Sequence, residues 1–200
     1  FGLVLASIIY IAKQITKWNA VSIVVLVLGA FLAYYITTLN PLVSEGASPL
    51  YILIAGAIAI CAMILPGISG SFILVLLGAY KPVLEALNNK DFKTILVFMA
   101  GAIIGLLSFS KVLKWLFANY KNYTLAVLTG FIIGSLNKIW PWKETLTWRT
   151  NSHGIKVPFN QQSISPFSFD GNAQLTFAII LAFIGFALIL LMEKLAVKKQ

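Results

Sequence analysis

The chain has 200 residues, of which 60% are hydrophobic and only 10% charged, with a formal net charge of +9. A soluble domain carries about 25% charged residues, so a chain this apolar has no polar surface with which to stay in water. A soluble globular protein is excluded, and the composition reads as an integral, all-α membrane protein built as a multi-span helical bundle. The positive charge lies almost wholly between the apolar runs. That placement suits contact with phospholipid headgroups and a topology signal rather than nucleic acid.

In chain order, the first apolar stretch runs over residues 1–12 and is too short to cross roughly 30 Å of hydrocarbon. It has neither a basic n-region nor a clear cleavage site, so it is not a signal peptide. With no initiating methionine, the expectation is a single transmembrane domain over residues 1–200 that forms the C-terminal part of a longer protein. The second run, residues 20–39, ends at Asn40-Pro41, because a residue before proline is pushed out of the helical region. Residues 51–80 form a long apolar run interrupted at Pro66-Gly67-Ile68-Ser69-Gly70-Ser71. Asn88-Asn89-Lys90-Asp91 reads as a polar turn in which Asp91 caps the next helix.

Further runs cover residues 94–110, residues 124–136 with flanks, and residues 173–192. Between the first two of these, Lys111, Lys114 and Lys121 mark a basic connection. Two GxxxG patterns, Gly101 to Gly105 and Gly130 to Gly134, read as close helix–helix contacts. Residues 141–172 form an extramembrane loop, with Trp140, Trp142 and Trp148 suited to the membrane–water interface. Alternation over Thr145–Thr150 and again over Ile155–Phe159 reads as a small β-hairpin, with His153 in its turn. His153 reads as a solvated turn residue rather than a metal ligand, and Asn122-Tyr123-Thr124 as a chance glycosylation pattern. Cys61 is the sole cysteine, so an internal disulfide is impossible, and it reads as a small packing residue. No catalytic residue, metal site or cofactor is expected, and the oligomeric state is not encoded legibly.

The interruption in residues 51–80 is the strongest functional signal. As one straight helix the run would measure about 45 Å, too long for an upright span, whereas two half-helices of about fourteen residues fit a re-entrant hairpin. The competing arrangement is a broken, tilted span. With re-entry, Lys13, Lys17, Lys111, Lys114, Lys121, Lys194, Lys198 and Lys199 share one side in short segments. The other side carries Lys81, Lys90, Lys93, Lys138, Lys143, Arg149 and Lys156 in longer, acid-diluted loops. Eight against seven does not decide, but density makes the first side cytoplasmic. No apolar run holds an interior ionisable residue, so any midplane chemistry falls to backbone and hydroxyl groups. Pro66 opens the helix, Gly67 and Gly70 let a ligand approach the backbone, and Ser69 and Ser71 offer hydroxyl donors. Amides freed at such a break suit a small anion such as phosphate.

Leu65-Pro-Gly-Ile-Ser-Gly-Ser-Phe72, followed by Leu77-Gly-Ala-Tyr80, resembles the second signature of a bacterial membrane family now regarded as polyprenyl-phosphate transporters. Members of that family look like two related halves, each with a Pro-Gly-x-Ser-Gly loop; one such loop is present here. The resemblance implies transport, or flipping, of undecaprenyl phosphate or a related polyprenyl phosphate across the bacterial cytoplasmic membrane. It implies no enzymatic step. On this reading Gly67, Ser69, Gly70 and Ser71 contact the headgroup, Pro66 holds the break open, and Lys81, Lys111 or Lys114 attracts the phosphate from the membrane surface. A transporter or channel for a small inorganic anion is the alternative reading of the same residues.

Overall fold

The computed structural model describes residues 1–39, 48–150 and 156–197. Its described residues are mainly helical: α1 (Gly2–Lys13), α2 (Ala20–Thr38), α3 (Pro49–Ile64), α4 (Gly70–Leu76), α5 (Tyr80–Asn88), α6 (Phe92–Ser135) and α7 (Leu175–Val197). Strands β1 (Lys143–Thr150) and β2 (Lys156–Ser163) add a two-stranded antiparallel ribbon. Three helices are long and apolar enough to cross a membrane, with the bent α4–α5 pair as a fourth at most. The chain is therefore a helical membrane protein. It divides into two compact units, Gln14–Gly134 and a second made of Phe1–Lys13 with Ser135–Gln200.

Within the first unit, glycines set the helix spacing. A Cβ on Gly101 would lie 2.0 Å from the Leu53 carbonyl oxygen, and one on Gly105 2.5 Å from that of Ala57. Reciprocally, a Cβ on Gly56 would lie 2.6 Å from the Phe98 oxygen. So α3 lies against the first arm of α6, and the two run in the same direction. The second GxxxG works alike: Gly130 faces the Leu26 oxygen at 2.2 Å and Gly134 that of Ala30 at 2.1 Å, measured to the same ideal Cβ. Here α2 runs alongside the second arm of α6. Both patterns thus serve helix packing, which in lipid rests on close van der Waals contact rather than on exclusion of water. Cys61 belongs to this packing, its thiol reaching the Gly105 carbonyl oxygen at 3.6 Å.

The basic connection expected at residues 111–121 is helical. It contains neither proline nor glycine to stop a helix, and α6 runs on to Ser135 with a break at Tyr120 alone (φ −135°, ψ 40°). A straight helix of that length would measure about 66 Å, twice the hydrocarbon thickness. The kink divides α6 into a long first arm and a shorter second one.

In the second unit α1 packs along α7. A Cβ on Gly2 would fall 1.9 Å from the Ala182 oxygen, Gly185 abuts Leu3, and Lys13 pairs with Glu193 at 3.3 Å. The hairpin is longer than the alternation alone suggests, pairing Lys143 with Ser163 through Thr150 with Lys156. Its expected turn, including His153, lies outside the described residues, as does Asn40-Pro41. Trp140 donates its indole N–H to the Ile164 carbonyl (2.8 Å) and Trp142 to that of Ala173 (2.9 Å). The two rings meet edge to face at 5.4 Å. Trp142 is only 8% exposed, so it ties down the base of the ribbon, whereas Trp148 is 58% exposed and free to face an interface.

Candidate functional site

The interruption is real and local. Leu65, placed before proline, adopts the extended conformation that the pyrrolidine ring imposes (φ −75°, ψ 128°), and this ends α3. Gly67 then takes φ +92°, a value costly to any residue with a Cβ. Ile68 turns inward and packs with Ala33, Ala62, Ile73, Leu76 and Phe131. Ser69 stands at the N-cap of α4 with an extended backbone (ψ 134°), and the first helical bond follows from the Ile73 amide to the Ser69 carbonyl at 3.1 Å.

The chain reverses at this break. Gly70 lies so close to α3 that a Cβ would meet the Ala59 oxygen at 2.9 Å and the Met63 Cβ at 3.5 Å. Further along, Leu74 and Ala79 pack on Ala55 and Ala59, and the Tyr51 hydroxyl donates to the Leu77 carbonyl. The first residues of α3 thus meet the last of α4, and the pair forms an antiparallel hairpin with the Pro-Gly-Ile-Ser-Gly segment at its tip. A broken helix that continued onward would place Tyr51 and Leu77 at opposite ends.

The second limb is shorter than the fourteen residues expected. Helix α4 has seven residues and stops in a Schellman motif, with the Ala79 amide bonded to Leu74 O (2.9 Å), the Gly78 amide to Val75 O (3.0 Å) and Gly78 at φ +71°. Helix α5 then leaves at 109° to α4. Gly78 was the available signal: a glycine just past an apolar stretch favours exactly such a C-terminal stop.

At the tip, Ser69 and Ser71 are exposed while Ile68 and Gly70 are buried. Ser69 makes no side-chain cap bond. Instead the two hydroxyl oxygens lie 2.8 Å apart. One of them donates to the other, so the pair keeps a hydroxyl hydrogen for an outside acceptor. The exposed Gly67 adds its backbone to this small polar surface. Pro66, Gly67, Ser69, Gly70 and Ser71 are therefore brought together. Lys81 is not with them. It lies beyond the other end of α4, with its side chain 82% exposed and 3.7 Å from Glu85 on the next turn of α5. Lys111 and Lys114 lie on exposed turns of α6. Sequence reasoning missed Tyr51, whose hydroxyl closes the open end of the hairpin; nothing in its apolar setting marks it.

The fold and this tip define an integral membrane protein organised around a broken helical hairpin. Residues 1–157 match the VCA0040-like family, described as undecaprenyl phosphate translocase-like, and the chain belongs to that family. It is 50% identical over 204 residues to a protein of Vibrio cholerae serotype O1 named polyprenyl-phosphate transporter, a match covering 99% of this chain and 65% of the relative. A second relative with the same name, from Staphylococcus aureus, is 35% identical over 94 residues, or 44% of this chain and 33% of its own. The chain thus spans just under two thirds of the length of the Vibrio relative. No solved structure matches it.

Proposed function

We propose that this protein carries a polyprenyl phosphate, of the undecaprenyl type, across the bacterial cytoplasmic membrane, and that the tip of the α3–α4 hairpin receives the phosphate. The observation that carries the reading is the exposed Ser69–Ser71 hydroxyl pair at a helix break in a chain whose relatives are named for this lipid class. Discontinuous helices serve as substrate sites in many secondary transporters, because broken backbone at membrane depth is tolerated where it lines a cavity. Helix α4 is short, so its dipole adds little. Hydroxyl and amide donors around Gly67 do most of the binding, and hydrogen bonds to a charged acceptor are the stronger kind. The hairpin re-enters the membrane from the side it left, and its apolar flanks accompany the lipid tail. Transport needs no bond to be made or broken, so the protein works without a catalytic step.

The test spares Gly70, where bulk would strike α3. Ser69→Ala with Ser71→Ala removes both hydroxyls and leaves the packing intact. In vesicles containing the natural-length protein, movement of a reporter-labelled polyprenyl phosphate should fall at least tenfold, with insertion and thermal stability unchanged. Unchanged transport contradicts the site. Competition by inorganic phosphate as strong as by the lipid would move the reading to a small-anion transporter.

A further inference from the structure

At the end of the Gln14–Gly134 unit where α6 kinks lies a cavity of about 310 Å³ that the proposed transport site does not use. Its walls include Lys17, Asn19, Tyr120, Lys121, Asn122 and Tyr123. The amide orientations follow from their partners. The Thr16 backbone N–H and hydroxyl both donate to Asn122 Oδ1, at 3.1 and 3.2 Å, so the Asn122 Nδ2 faces away from them. The Ser22 amide donates to Asn19 Oδ1 at 2.8 Å, which directs Asn19 Nδ2 onto the Tyr123 hydroxyl oxygen at 3.1 Å. Tyr123 accepts there, so its own hydrogen is left over. Among the described residues, neither that hydrogen nor Asn122 Nδ2 has a hydrogen-bond acceptor.

Charge points the same way. Residues 1–44 and 92–143 contain no aspartate or glutamate, so the elements that build this cavity offer Lys17 and Lys121 no carboxylate. Two lysines and two residues with unspent donors line one cavity built from segments without carboxylates, a combination that selects an anion with several acceptor oxygens. The surroundings place the ligand at a membrane surface. Exposed Trp115 and Tyr120 stand edge to face at 5.5 Å beside the kink, and such aromatic–lysine belts sit at headgroup level. The adjoining arms of α6 are apolar and exposed, which suits acyl chains alongside.

We propose that this cavity is a second phosphate site, separate from the hairpin tip, that holds the headgroup of an anionic membrane lipid. Lys17 and Lys121 supply the charge, and Asn122 and Tyr123 orient the phosphate oxygens. The kink at Tyr120 opens the space between the arms of α6, and a bound headgroup fastens the two arms to the start of α2.

Native mass spectrometry of the natural-length protein in detergent tests this, with phosphatidylglycerol titrated against phosphatidylcholine. Wild-type protein should retain phosphatidylglycerol preferentially. Lys17→Gln with Lys121→Gln should weaken that retention about tenfold, whereas Lys17→Arg with Lys121→Arg should keep it. Lys111→Gln with Lys114→Gln removes the same charge outside the cavity and should change retention less than about twofold. Equal losses in the two glutamine pairs, or none in the first, overturn the site. Displacement of the lipid by equimolar inorganic phosphate overturns the lipid as occupant. The Ser69→Ala, Ser71→Ala variant should retain phosphatidylglycerol fully, which separates this site from the transport site. Loss of retention in that variant contradicts their independence.

Discussion

Gly101 leaves no room for a methyl group, since an ideal Cβ would sit 2.0 Å from a backbone oxygen of α3. Backbone cannot yield as a flexible side chain can, so Gly101→Ala must push α3 and α6 apart. We expect a loss of about 1–3 kcal/mol, the usual cost of overpacking, seen as a lower melting temperature in detergent. Asp91 acts at the opposite extreme of burial. The Thr94 hydroxyl donates to its carboxylate at 2.6 Å, and the Thr94 amide does so at 3.4 Å. These bonds, the hydroxyl first, hold the Asp91 carboxyl below its ordinary value of 3.8. A depressed carboxylate stabilises the fold above the unfolded pKa, and that contribution is lost as pH falls through the lower folded value. An NMR titration of the Asp91 carboxyl carbon should show a midpoint below 3.8, and Thr94→Val should raise it.

At the scale of elements, the hairpin depends on how α4 ends. Gly78 at φ +71° lets the chain leave α4 and turn into α5. Gly78→Ala keeps the backbone but places a Cβ in the left-handed region, at a cost of about 1–2 kcal/mol. Its thermal midpoint should fall while the hairpin tip retains its ligand preference. Most elements were legible in the sequence. Pro66 and Gly67 announced the break, both GxxxG patterns announced helix contacts, and Asp91 its cap, because each acts through local backbone geometry. The continuity of α6 was less legible, since lysines at 111, 114 and 121 looked like a connection. Lysine is a good helix former, and an exposed helical turn carries charge as readily as a loop. The shortness of α4 was missed because its end is written in one glycine within an apolar run. Tyr51 and the Asn19–Tyr123 contact were invisible, for they join residues far apart in sequence.

Over the whole molecule, the two limbs of the broken hairpin return the chain to the end from which α3 started, and α6 begins there too. Ile52 of α3 lines a common cavity with Asp91 and Thr94 at the start of α6. Within the Gln14–Gly134 unit, Lys17 and Lys121 therefore share the end opposite to Lys81, Lys90 and Lys93. The account's central claim is that the exposed hydroxyl pair at the hairpin tip binds a lipid phosphate. Binding of undecaprenyl phosphate measured against undecaprenol, in wild-type protein and in the Ser69→Ala, Ser71→Ala variant, tests it most directly. Wild-type protein should prefer the phosphate by at least about tenfold, from the one hydroxyl hydrogen that the pair keeps for a charged acceptor, and the variant should lose most of that preference. An undiminished preference in the variant would contradict the claim.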